Sequence, residues 1–135
     1  MDPIKVLVAD DESHITQVVS LKLRKAGFTV VMAADGEEAY ELAVQELPAL
    51  IITDLQMPYL SGLEFCERLR ANPATSSIPA VMLTARGYSL AQEDLAKTNI
   101  KHVMSKPFSP RELLAKVREL LGLAAESDGP IAEAA

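Results

Sequence analysis

The segment "ALIITDLQMP" at residues 49–58 runs apolar for several positions and then ends in a carboxylate, Asp54. A stretch that is apolar at successive positions suits burial on both faces of a parallel sheet. A charge set against such a core is costly unless a cation or hydrogen bonds compensate it. Asp54 is therefore either a local cap or one member of a site, and the remainder of the chain decides between the two.

Four further apolar runs punctuate the sequence: "IKVLVA" (4–9), "FTVVMA" (28–33), "PAVMLT" (79–84) and "KHVMS" (101–105). Helical spacing fills the intervals. Ile15, Val18, Val19 and Leu23 share one face, as do Ala39, Leu42, Ala43 and Leu47, and again Leu113, Leu114, Val117, Leu120 and Leu121. "DGEE" from 35, "SGLE" from 61, "SLAQ" from 89 and "SPRE" from 109 read as capping boxes, the last with Pro110 at the first helical position. Strand and helix thus alternate five times, which predicts a doubly wound α/β fold: a parallel five-stranded sheet with right-handed crossovers and helices on both faces. "KHVMS" is the least apolar run and is expected at an edge. Periodicity is lost after Gly122, so one domain over 1–122 and a flexible tail over 123–135 are expected.

Composition narrows the function classes. A chain of 135 residues is most simply one domain, and a net charge of −6 argues against a nucleic-acid partner, because phosphate binding needs a basic face. No apolar run reaches bilayer-spanning length and the N-terminus lacks a signal pattern, so no membrane partner is expected. The single Cys66 forms no internal disulfide and fits a reducing cytoplasm; on a helix among apolar neighbours it reads as packing. His14 and His102 read as surface or packing residues, the five Met as core filler, Tyr59 and Tyr88 as solvent-facing, and Gly62 as a turn former.

Parallel strands place their carboxyl ends along one edge, and open α/β sheets bind ligands there. Asp10, Asp11 and Glu12 follow the first strand, Asp54 ends the third, Thr84 ends the fourth, and Lys106-Pro107 follows the fifth. If the first and third strands are neighbours, acids, a hydroxyl and an ammonium converge in one crevice. Clustered carboxylates raise one another's pKa unless a cation sits among them. Oxygen ligands without His or Cys favour a hard ion such as Mg²⁺. Thr84 and Lys106 suit an anion, and a phosphoryl group on Asp54 would accept from both.

The combination of "VLVADDE", "DLQMPYLSG", "MLTA" and "KPF" resembles the response-regulator receiver domain of two-component signalling, over roughly residues 4–121. The resemblance implies a flavodoxin-like sheet of order 2-1-3-4-5. It implies that Asp54 accepts a phosphoryl group from a histidine kinase or phosphotransfer protein. Asp10, Asp11 and Asp54, with the backbone carbonyl of Gln56, would hold Mg²⁺. Thr84 would be the switch hydroxyl, Lys106 the phosphate-contacting lysine, and Lys106–Pro107 a cis bond. Such a domain is a signalling module that catalyses only its own phosphoryl transfer and autodephosphorylation, and passes its state to a downstream effector protein by contact.

Two positions depart from the family pattern. Val103 stands where Tyr or Phe is common, three residues before the lysine, and "TNIK" (98–101) replaces a "GA" turn. Readout is therefore expected in the loop "ARGYS" (85–89) and the start of the fourth helix, with Tyr88 as its large side chain; the alternative is a docking module with altered switching. An aspartyl-phosphate phosphohydrolase is disfavoured because Gln56 stands where its general-acid Asp belongs, and a flavodoxin-type cofactor is disfavoured because "DDES" after the first strand would repel a phosphate.

Overall fold

The computed structural model describes residues 3–85 and 90–123, so Tyr88 and the expected tail beyond residue 123 lie outside the described residues. Strand and helix alternate as β1 (Lys5–Ala9), α1 (Ser13–Lys25), β2 (Thr29–Ala33), α2 (Gly36–Glu46), β3 (Leu50–Asp54), α3 (Gly62–Ala71), β4 (Ala80–Thr84), α4 (Gln92–Ala96), β5 (Ile100–Ser105) and α5 (Pro110–Leu120). All neighbouring strands pair in parallel, in the order β2-β1-β3-β4-β5. Every strand boundary falls within one residue of an apolar run, because those runs are what a doubly covered sheet buries.

Two cores lie on opposite faces of the sheet, divided by the two-residue period of the strands. Leu7, Ile51 and Met82 point toward α2 and α3, where they meet Ala39, Phe65 and Leu69. Val8, Ile52 and Leu83 point the other way, toward Val19 and Leu23 of α1 and Leu113 and Val117 of α5. β3 and β4 are buried along their whole length, whereas the edge strand β5 is only partly covered.

Helix starts follow the side-chain chemistry. Ser61 and Glu64 form a complete capping box at α3. Asp35 and Ser109 accept from the backbone N–H of Glu38 and Glu112 respectively, and Pro110 opens α5. α4 differs from expectation: it starts at Gln92 with Ala91 at the N-cap and no side-chain cap bond, not from the box at Ser89. None of its five residues is buried, so little packing extends it.

Two positions assigned to apolar helix faces turn outward. Val18 is exposed, because α1 presents Val19 and Leu23 to the sheet and a strict stripe leaves no room for both neighbours. Leu47 is exposed because it ends α2 as its C-cap in the left-handed region, at φ 47°, ψ 61°. Among the described methionines only Met82 is fully buried, while Met32 is exposed. Cys66 packs in the core and burial pushes its thiol up to about 12, which leaves it chemically quiet.

Left-handed backbone costs a non-glycine residue roughly 1–2 kcal/mol. Since Leu47 is exposed and buries little, Leu47→Gly is expected to stabilise the fold by about 0.5–1 kcal/mol, net of the entropy glycine adds to the unfolded chain. Urea denaturation of the variant would show this as a higher midpoint at unchanged slope; a lower midpoint would contradict the assignment.

Candidate functional site

Strand register builds the site. β1 ends with Ala9 opposite Thr53, which sets Asp10 beside Asp54 at the next position, and Asp54 in turn lies opposite Leu83 of β4. Thr84 ends β4 opposite Ser105, so Lys106 leaves β5 at the same edge, its N–H donating to the Thr84 carbonyl at 2.8 Å. The Lys106–Pro107 bond is cis. Behind Asp54 the loop folds back tightly: Gly62 donates to the Leu55 carbonyl at 2.7 Å, and a Cβ on Gly62 would collide with the Asp54 carbonyl oxygen. Gly62 is thus needed for close approach, in addition to any ease of turning.

One carboxylate oxygen from each of Asp10, Asp11 and Asp54 lies within 4.8 Å of the others. Such an all-oxygen, all-anionic set is chemically suited to a hard divalent cation. Asp10 and Asp54 are buried, and Asp11 is exposed. The Lys106 ammonium bonds Asp10 Oδ2, Glu12 Oε1 and Asp54 Oδ1, each at 3.0 Å. Asp11, Glu12, Asp54, Leu55, Gln56, Ala85 and Lys106 line an open cleft of about 400 Å³.

The electrostatics are unbalanced without a second cation. Burial holds the Asp54 carboxyl above its ordinary value, the Lys106 bond opposes that, and the Asp10 and Asp11 charges add to it. Burial likewise raises Asp10, against the Glu12 backbone N–H and Lys106, which lower it. Glu12 is held low, chiefly by its bond to Lys106. Burial alone would depress Lys106, but its bonds to Asp54, Asp10 and Glu12 outweigh this and raise it.

Asp10, Asp11, Asp54, Gln56 and Lys106 are therefore brought together as the sequence predicts. Thr84 sits at the same edge, fully buried, but its hydroxyl donates to the Met104 carbonyl at 3.4 Å and it is not among the residues lining the cleft. Val103 is half-buried against the core on the α2–α3 face, paired with Met82. Sequence reasoning noticed Glu12 beside the acid pair but not its bond to Lys106. A contact across 94 residues leaves no local pattern to read.

The profile of the response regulator receiver domain family matches residues 6–118. The chain belongs to the response-regulator receiver domain family. It is 39% identical over 117 residues to the DNA-binding dual master transcriptional regulator RpaA of Synechocystis sp., covering 87% of this chain and 48% of that protein. Similarity to the alkaline phosphatase synthesis transcriptional regulatory protein PhoP of Bacillus subtilis is of the same order, at 38% over 117 residues, covering 87% and 48%. This receiver domain spans about half the length of these curated relatives. Among solved structures it resembles the chemotaxis response regulator CheY4 of Vibrio cholerae, with TM-score 0.81, 33% identity, and coverage of 88% of this chain and 99% of that one. It also resembles the receiver domain of sensor histidine kinase PA1611 from Pseudomonas aeruginosa PAO1, with TM-score 0.80, 25% identity, and coverage of 90% and 99%. That structure is described with a magnesium ion coordinated in its active-site cleft. No helix among the described residues is long and apolar enough to cross a membrane.

The raised Asp54 carboxyl has a stability consequence. An acid whose folded pKa exceeds its unfolded value binds protons preferentially when folded. Its burden is absent below the unfolded value, grows as pH rises between the two, and is complete above the folded one. Lys106 keeps Asp10 and Glu12 as partners when Asp54 is neutralised. In chelator at pH 7, Asp54→Asn is therefore expected to be more stable than the native protein by on the order of 1 kcal/mol. That advantage should shrink as pH falls through the Asp54 transition. Chemical denaturation at a series of pH values measures the difference; an Asn variant that is less stable at pH 7 would contradict it.

Proposed function

We propose that this receiver domain is a phosphorylation-controlled switch in which Asp54 accepts one phosphoryl group from a histidine kinase or phosphotransfer protein. One observation carries the proposal: a buried, charge-strained carboxylate at the mouth of a cleft, 3.0 Å from a lysine ammonium and grouped with two more carboxylates. In the step, an Asp54 carboxylate oxygen attacks phosphorus and forms a P–O bond. The bond from phosphorus to the donor's nitrogen or oxygen breaks, and its electron pair leaves with the donor. No electron is gained or lost overall.

Asp10, Asp11, Asp54 and the backbone carbonyl of Gln56 are the groups that would hold Mg²⁺. When bound, that ion supplies positive charge against the carboxylates and the transferred phosphoryl oxygens. Lys106 moves a donor from the Asp54 carboxylate to a phosphoryl oxygen. Thr84 exchanges its acceptor on Met104 for another phosphoryl oxygen, which makes its hydroxyl the switch. In autodephosphorylation a water oxygen would attack phosphorus, and the bond from phosphorus to the Asp54 oxygen would break with its electron pair returning to the carboxylate. Inorganic phosphate would leave with the water's remaining hydrogen, and a proton would be released to solvent.

A downstream effector protein reads the state by contact. Val103 is short and stiff at χ1, so it supplies no swinging ring at the β5 surface. Readout is assigned instead to the segment 85–91, in which Tyr88 lies outside the described residues. Two of the relatives are named as transcriptional regulators, and they extend well beyond the matched half. The net charge of −6 speaks only for these 135 residues, and the names of those relatives do not support the expectation of no nucleic-acid partner. A reducing, cytoplasmic setting suits the free Cys66.

Incubation with acetyl phosphate and Mg²⁺, followed by intact mass, is expected to show a gain of one phosphoryl group. The gain should vanish in chelator and in Asp54→Asn; labelling that survives either condition would overturn the assignment. Mg²⁺ alone should raise Tm, since a hundredfold excess over Kd is worth about 2.7 kcal/mol. A Tm unmoved by millimolar Mg²⁺ would remove the metal from the proposal.

A further inference from the structure

A lysine ammonium carries three N–H donors, and in Lys106 all are committed. Asp10 Oδ2, Glu12 Oε1 and Asp54 Oδ1 each lie 3.0 Å from Nζ. The acceptors are not equivalent. The Asp10 and Asp54 side chains are 0% and 9% exposed, whereas that of Glu12 is 50% exposed. Asp10 and Asp54 also belong to the carboxylate group able to share a cation, and Glu12 does not. Glu12 occupies the N-cap of α1, yet its side chain makes no capping bond. Its carboxylate reaches Lys106 instead.

We propose that Glu12 is a positioning residue that acts through Lys106, as a latch holding the ammonium in its unphosphorylated arrangement and slowing its transfer to the phosphoryl group. The proposal rests on Asp54 being the phosphoacceptor. A saturated ammonium gains a new acceptor only by giving one up. Following its acceptor from Asp54 Oδ1 to a phosphoryl oxygen two bonds further out displaces Nζ, so another of its bonds must stretch or break. The Asp10 bond is buried and costly to break. The Glu12 bond is at the surface, where an ion pair shifts an equilibrium by up to about fivefold. Glu12 is therefore the partner that yields, and its hold sets a modest, tunable brake on phosphoryl uptake.

Charge repulsion offers a competing cause, because Glu12 lines the cleft that an anionic donor enters. Two variants separate the causes. Glu12→Gln removes the charge and weakens the bond. Glu12→Asp keeps the charge but is one methylene shorter and cannot span to Lys106. The latch predicts that both variants take up the phosphoryl group from acetyl phosphate about two- to fivefold faster than the native protein at fixed Mg²⁺. Tm is expected unchanged in Glu12→Gln and unchanged or higher in Glu12→Asp, whose shorter carboxylate can cap α1. Acceleration in Glu12→Gln alone, or in neither, overturns it. Solvent exchange of the Lys106 ammonium, followed by ¹H–¹⁵N NMR on the unphosphorylated protein, reads the bond without any chemistry. Faster exchange in both variants is expected, and unchanged exchange overturns the latch. If no protein gains mass, the phosphoacceptor assignment fails and the latch fails with it. Native labelling with unaltered variant rates sinks the latch alone.

Discussion

The Lys106 ammonium bonds carboxylates that the chain supplies from the ends of β1 and β3 and the start of α1, reaching them from the end of β5. Strand order makes that possible. With β3 between β1 and β4, and β5 outside β4, a long lysine side chain at one edge strand spans to the central pair. A slip of one residue in β1, β3, β4 or β5 would turn Asp54 or its neighbours to the other face and remove the compensation. The charge cluster and the parallel register therefore depend on each other. The apolar strands fix the register, and the register places charges that no apolar core would tolerate alone.

That compensation is incomplete, and the incompleteness has chemical value. One ammonium serves Asp10, Glu12 and Asp54 while Asp11 stands within reach of the same group, so Asp10 and Asp54 remain raised by burial despite it. A site in that condition gains from an added cation and presents the Asp54 carboxylate to an open cleft. Its parts lie at strand ends or just beyond them, and the Thr84 hydroxyl bonds the Met104 carbonyl and is not among the groups lining the cleft. On the proposed function, a new acceptor competing for that hydroxyl would change the conformation, since only differential contacts between two states shift their balance. Val103, on the neighbouring β5, is half-buried and packed against the core.

The central strands were legible because burial on both faces demands unbroken apolar runs, and such runs are rare elsewhere in a short chain. The site was legible for a related reason: Asp10, Asp54, Thr84 and Lys106 each sit immediately at the end of one of those runs, where topology alone makes them neighbours. What failed was finer than topology. Val18 and Val19 are adjacent, and periodicity cannot say which one faces the sheet. Leu47 looked like the next apolar turn of α2 but terminates it, because Pro48 follows and cannot continue the helix. Side-chain direction was equally hidden: neither the turn of Thr84 toward Met104 nor that of Glu12 toward Lys106 has a signature in local sequence. Gly62 looked like a turn former, and only the fold shows how closely it lies against the Asp54 carbonyl.

A crystal structure of the chain with Mg²⁺ and beryllium fluoride, a phosphoryl mimic, examines the central claim most directly. The account predicts the mimic bonded to an Asp54 carboxylate oxygen, Mg²⁺ among Asp10, Asp11 and Asp54, Lys106 donating to a fluoride, and the Thr84 hydroxyl turned from Met104 to the mimic. A structure in which Asp54 carries nothing, with Lys106 still bonded to Asp10, Glu12 and Asp54 at saturating mimic and Mg²⁺, would contradict it.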